Sequence, residues 1–96
     1  MQSPYRYAYL HGFASSSLSR KGVYLSQVFR NRGLSLALPD LNSPSFERMT
    51  YGEILDAVDG MDAAEGGSGY RWRLIGSSMG GYITARWAQL RPDRVD

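Results

Sequence analysis

Three short apolar runs, YRYAYL at Tyr5 to Leu10, LSLALP at Leu34 to Pro39 and RWRLI at Arg71 to Ile75, are each followed by a segment long enough to fold as a helix. Strands separated in this way cannot be hairpin partners. Adjacent parallel strands need a long connection, and a right-handed crossover lays its helix on a face of the sheet. The alternation predicts an α/β fold of three layers, a parallel sheet of three strands with crossover helices.

Local signals set the boundaries. The first run begins just after Pro4 and ends in HGFASSSLS, a loop rich in Gly and Ser. A helix is predicted from about Arg20 to Arg32, with Lys21, Leu25, Val28 and Arg32 on one side, Phe29 adjacent, and Gly33 at the left-handed position past its end. The second run alternates leucine with Ser35 and Ala37 and stops at Pro39, which has no N–H for a ladder; Pro44 keeps the next stretch irregular. The next helix has the clearest start: Thr50 as N-cap, Glu53 at N3 able to reach back, and Met49 able to pack against Ile54, with Ile54, Val58 and Met61 forming its apolar face. AEGGSGY, Ala64 to Tyr70, reads as a loop. Beyond Gly76 to Gly80, Ile83, Trp87 and Leu90 recur at helical spacing and Pro92 ends the helix. Tyr7, Tyr9 and Trp72 read as sheet packing, and RPDRVD is placed to lead into another strand.

Composition excludes several functions. With 96 residues there is room for one domain, and a net charge of +2 from basic residues scattered along the chain gives no stripe for a nucleic acid. The absence of cysteine removes disulfides, a thiol nucleophile and a thiolate zinc cluster, and one histidine among scattered carboxylates makes no metal site. No apolar stretch reaches the length of a membrane span, and the start lacks the pattern of a signal peptide, so the cytoplasm is the expected location.

The functional signal is G-x-S-x-G at Gly76, Ser77, Ser78, Met79 and Gly80, between a predicted strand and a predicted helix. At such a junction the central residue can take a strained backbone conformation that lifts its hydroxyl above the sheet, and small flanking residues let strand and helix approach. Attack by that hydroxyl on an acyl carbon creates an oxyanion, which two backbone N–H donors stabilise. Met79 N–H is one candidate. The second comes from the loop after a neighbouring strand, where HGF at His11 to Phe13 offers Phe13 N–H, with Ala14 N–H beside it. Ser78, and not Ser77, has glycine at both minus two and plus two; Ser15, Ser16 and Ser17 read as loop hydroxyls. Gly80 and Gly81 also suit a bend or a phosphate-binding helix start, but neither G-x-x-x-x-G-K-[ST] nor a G-x-G-x-x-G after the first strand is present.

These stretches resemble the α/β-hydrolase superfamily, and within it small bacterial esterases. YLHGFASSSLSRKG at Tyr9 to Gly22 is similar to their loop and first helix after the strand counted third, LALPDLNSP at Leu36 to Pro44 to the next strand and its exit, and LIGSSMGGY at Leu74 to Tyr82 to their nucleophile elbow. The resemblance implies that Ser78 is the nucleophile, that Met79 and Phe13 supply the oxyanion hole, that His11 and Gly12 shape the loop, and that Gly76, Gly80 and Gly81 form the elbow. It also implies a sheet in which the first strand lies between the other two. Such enzymes split esters or thioesters through an acyl-enzyme with no cofactor.

In that family the acid and then the histidine follow the nucleophile. After Ser78 this chain has only Asp93 and Asp96 as carboxylates, both read as solvent-facing, and no histidine. His11, with Asp40 as its conceivable orienting partner, is the one local alternative for a base. The expectation is that residues 1–96 form the N-terminal part of an α/β-hydrolase fold, a serine acyl hydrolase whose acid and histidine come from a missing C-terminal half or a second chain. The alternative is a noncatalytic interaction module or fragment that pairs through an open strand edge along Arg71 to Ile75.

Overall fold

The computed structural model describes residues 5–12, 20–41, 50–66 and 70–96. Strands β1 (Tyr5–Leu10), β2 (Leu36–Ala37) and β3 (Arg71–Gly76) alternate with helices α1 (Arg20–Asn31), α2 (Tyr51–Met61) and α3 (Met79–Leu90). The strands form one parallel sheet in the order β2-β1-β3, with Tyr7 opposite Leu36 on one side and Arg73 on the other. The first strand is thus central, as the resemblance implied.

This order produces the layers. The chain moves one way from β1 to β2 and then back past β1 to β3, so connections of the same hand leave α1 and α2 on opposite faces. On one face Tyr7 meets Phe29 of α1 edge to face, ring centroids 5.3 Å apart. On the other, Ala8, Leu10 and Trp72 join Leu41, Ile54, Val58, Met61, Ile83 and Trp87 in the main core. Both indoles are fully buried; at roughly 25 cal/mol per Å2, the 150–250 Å2 an aromatic side chain buries is worth about 4–6 kcal/mol before ordering entropy.

Several boundaries follow the local chemistry. Helix α1 ends in a Schellman motif: Gly33, at φ 75°, donates to the Arg30 carbonyl at 3.0 Å and Leu34 N–H to that of Phe29 at 2.9 Å. Thr50 caps α2 by accepting from Glu53 N–H at 3.2 Å; the expected Met49 staple lies outside the described residues.

Two expectations are corrected. Strand β2 pairs over two residues only and does not run from Leu34 to Pro39, because the Leu34 N–H is committed to the end of α1 and Pro39 has none to give. The loop expected from Ala64 begins later, since a π-helical turn continues α2 through Asp62–Gly66, its first residue Asp62 held by Arg94 and Trp72. Ile83 and Trp87 are the buried side of α3, while Leu90, at the end of the helix, is 40% exposed.

The segment after α3 is held firmly. Following a 3-10 turn at Pro92–Arg94, Val95 pairs in parallel with Trp72, and Asp96 N–H donates to the Trp72 carbonyl at 2.9 Å. RPDRVD thus brings the chain alongside the outer edge of β3. Two Trp–Asp–Arg relays anchor it: Trp87 Nε1–H and Arg91 both donate to Asp59, and Trp72 Nε1–H and Arg94 both donate to Asp62. Asp96 faces solvent but pairs with Arg73 at 2.9 Å. No described helix is long and apolar enough to cross a membrane.

Candidate functional site

The carboxyl ends of β1 and β3 are adjacent, and the helices that come after them, α1 and α3, lie on opposite faces of the sheet. In open α/β sheets a crevice opens where neighbouring strands send their helices to opposite sides, and ligands bind there. Ser78 and Gly12 occupy that position. A methyl group placed on Gly12 would come within 3.1 Å of Ser78 Cβ and 3.8 Å of Ser78 Oγ, so the β1 exit lies against the serine.

Ser78 has φ 56° and ψ −118°, and it alone among the described non-glycine residues has positive φ. A non-glycine residue in such a sparsely populated region costs about 1–3 kcal/mol, held by its surroundings. Here those surroundings are tight turns and close packing. Ser77 N–H donates to the Leu10 carbonyl, while Gly80 and Gly81 N–H turn back to the carbonyls of Ser77 and Ser78 at 2.9 Å each. A Cβ on Gly76 would strike the Gly80 carbonyl oxygen, and one on Gly80 would strike the Leu10 carbonyl. The two glycines therefore let α3 seat its first turn directly on the strand ends. Gly81 differs, since a Cβ there would meet only ordinary contact with Gly76.

Ser78 is the N-cap of α3, yet its hydroxyl makes no capping hydrogen bond. A serine at that position ordinarily spends its oxygen on the N–H of N2 or N3; the unusual ψ turns this one away and leaves it at the exposed edge. Met79, the first residue of the helix, has an N–H that no intrahelical carbonyl can reach. The helix N-terminus adds partial positive charge at the same place. Phe13 and Ala14, the other candidate donors, lie outside the described residues, as do Ser15, Ser16 and Ser17. Ser77 is half-buried and its Oγ accepts from Lys21 Nζ at 3.4 Å, a contact from the start of α1 that spacing along the sequence gave no means to find.

His11 is fully buried. Its Nε2 accepts Leu41 N–H at 2.9 Å, which fixes that nitrogen as unprotonated and makes Nδ1–H the donor to the Gly12 carbonyl at 3.1 Å. The ring ties the exit of β1 to the exit of β2, with both nitrogens engaged and neither left to take a proton from Ser78. The Asp40 carboxylate stands 3.7 Å from Nε2, but a nitrogen that accepts a backbone N–H cannot also donate to it, so the approach is not an ion pair.

Among the described residues no group of three or more His, Cys, Asp or Glu could hold a metal. An open groove of about 500 Å3 runs between β2 and α2, lined by Leu36, Leu38, Pro39, Asp40 and Met61 among others; Ser78 and Gly12 are not part of it. The side chain of Asp62 is mostly covered: burial opposes its charge, but the hydrogen bonds from Arg94 and Trp72 and the charge of Arg94 prevail and hold its carboxyl below the usual value of 3.8.

No curated protein matches the chain. Residues 6–92, which take in α1, α2, α3, β2, β3, all of β1 but Tyr5 and the strand–turn–helix junction around Ser78, match the family model of UPF0227, described as an uncharacterised protein family, and the chain belongs to that family.

Proposed function

We propose that this chain carries the nucleophile of a serine acyl hydrolase of the α/β-hydrolase type, acting on small carboxylic esters or thioesters. The observation that carries the reading is Ser78 itself: a serine held at φ 56° and ψ −118°, at a helix N-terminus, with its hydroxyl withheld from capping. Strain kept at a site where neighbouring groups over-determine it is a mark of function. In the proposed reaction Ser78 Oγ attacks the acyl carbon and loses its proton to a base. The carbonyl oxygen becomes an oxyanion facing Met79 N–H and the Phe13 or Ala14 N–H. The C–O or C–S bond then breaks, the leaving group takes the proton, and water releases the acid from the acyl-enzyme by the same route.

The base is not His11, whose nitrogens hold Leu41 and Gly12. The acid and histidine are proposed to come from sequence beyond residues 1–96 or from a second chain, and the Val95–Trp72 pairing supports a sheet that continues past β3. The same pairing weighs against an interaction module docking along the whole β3 edge, because part of that edge is filled.

Intact-mass spectrometry after exposure to a fluorophosphonate tests the reading. A stoichiometric adduct that maps to Ser78 and vanishes in Ser78→Ala, together with loss of ester turnover in that variant, is the expected result. Turnover that survives Ser78→Ala overturns it.

A further inference from the structure

Tyr51 and Tyr82 are large aromatic residues left 59% and 55% exposed, yet they are packed on each other, ring centroids 5.2 Å apart and planes tilted by 56°. Neither belongs to the core; the contact between α2 and α3 is carried below them by Ile54, Val58, Ile83 and Trp87. Their place in the fold is specific. Tyr82 is one turn along α3 from Ser78, with its N–H on the Ser78 carbonyl at 3.3 Å, and a helical side chain leans toward the N-terminus, over the turn before it. Tyr51 opens α2, which starts from the same edge of the sheet.

We propose that Tyr51 and Tyr82 form the wall that receives the apolar group flanking the scissile carbonyl, making them specificity-determining residues; this rests on the acyl-hydrolase reading of Ser78. The chemistry comes from the pair. A tyrosine offers a broad apolar face with few rotatable bonds, so little entropy is lost when a ligand settles on it. Two rings already fixed against each other lose less still, and the surface they present excludes water from a hydrocarbon while its π faces offer little to an anionic group. Cationic character at the site is on the other side, at Lys21 beside Ser77. Substrates with an extended alkyl or aryl group are therefore favoured over short polar ones.

Ethyl and octyl fluorophosphonates share a warhead and differ only in the alkyl group. Their rates of Ser78 labelling are measured by intact mass on the purified protein. The octyl probe reacts faster, by about tenfold or more. The octyl-to-ethyl ratio falls toward one in Tyr51→Ala/Tyr82→Ala and is restored in Tyr51→Phe/Tyr82→Phe. A ratio unchanged by the double alanine variant overturns the proposal. Independently of labelling, octanoate titrated into Ser78→Ala shifts the ring resonances of both tyrosines; rings that do not respond also overturn it. If neither probe labels Ser78 while octanoate still moves the rings, the apolar wall stands and the acyl-hydrolase reading falls.

Discussion

Ser78 carries a backbone conformation that glycine would adopt without strain, and it keeps a side chain there all the same. Replacing it separates strain from chemistry. Ser78→Gly relieves the positive φ and is expected to raise unfolding stability by about 1 kcal/mol over Ser78→Ala, which keeps the strain, while both variants abolish labelling. Chemical denaturation of the two side by side is the check; equal midpoints would mean that the conformation stores no strain. The strained strand–turn–helix junction at Ser78 was legible from the pentapeptide and its position between strand and helix. That His11 shapes the loop was implied by the resemblance, but its partner was not legible, because a histidine accepting a backbone N–H thirty residues away leaves no mark on local periodicity.

Among the elements, those read best had ends written in their own residues. Gly33 closes α1 and Thr50 opens α2 through bonds within a few residues, so propensity and structure agree. Strand β2 and the turn after α2 were misread because their limits depend on groups already committed elsewhere: Leu34 N–H to α1, and Asp62 to Arg94 and Trp72. The junction of β3 and α3 gives a prediction at this scale. Gly80→Ala forces a methyl into the Leu10 carbonyl, backbone that cannot yield cheaply, and is expected to cost about 3 kcal/mol or to prevent folding. Gly81→Ala, one position on in the same helix, meets only ordinary contact and stays within about 1 kcal/mol of the parent. Thermal melts of the pair decide it, and similar losses in both would refute the seating described for α3.

Across the molecule, the sheet order and the layers were readable because the alternation of strands and helices leaves few topologies. The clamp on the last residues was not, since Asp59 and Asp62 look like solvated charges until Trp87, Trp72, Arg91 and Arg94 are seen around them. The Asp62 carboxyl has a folded value below its unfolded one, so its contribution is fully present above pH 3.8 and is lost as pH falls through the lower, folded value. Asp62→Asn is expected to lower stability at pH 7 by about 2 kcal/mol and to flatten the fall in stability seen on acidification below pH 4. An unaltered acid limb in the variant would show that another carboxylate governs it.

The chain's two tryptophans each hold a different carboxylate, one within α2 and one at its C-terminal end. Intrinsic fluorescence is therefore a two-channel reporter: Trp87→Phe leaves an emission that tracks the outer edge of β3, and Trp72→Phe one that tracks the packing of α3. If the Trp72 emission of Trp87→Phe changes at lower denaturant than the helical signal of that same variant, the surroundings of β3 open ahead of the helices, and the order of those events can be followed without any added dye.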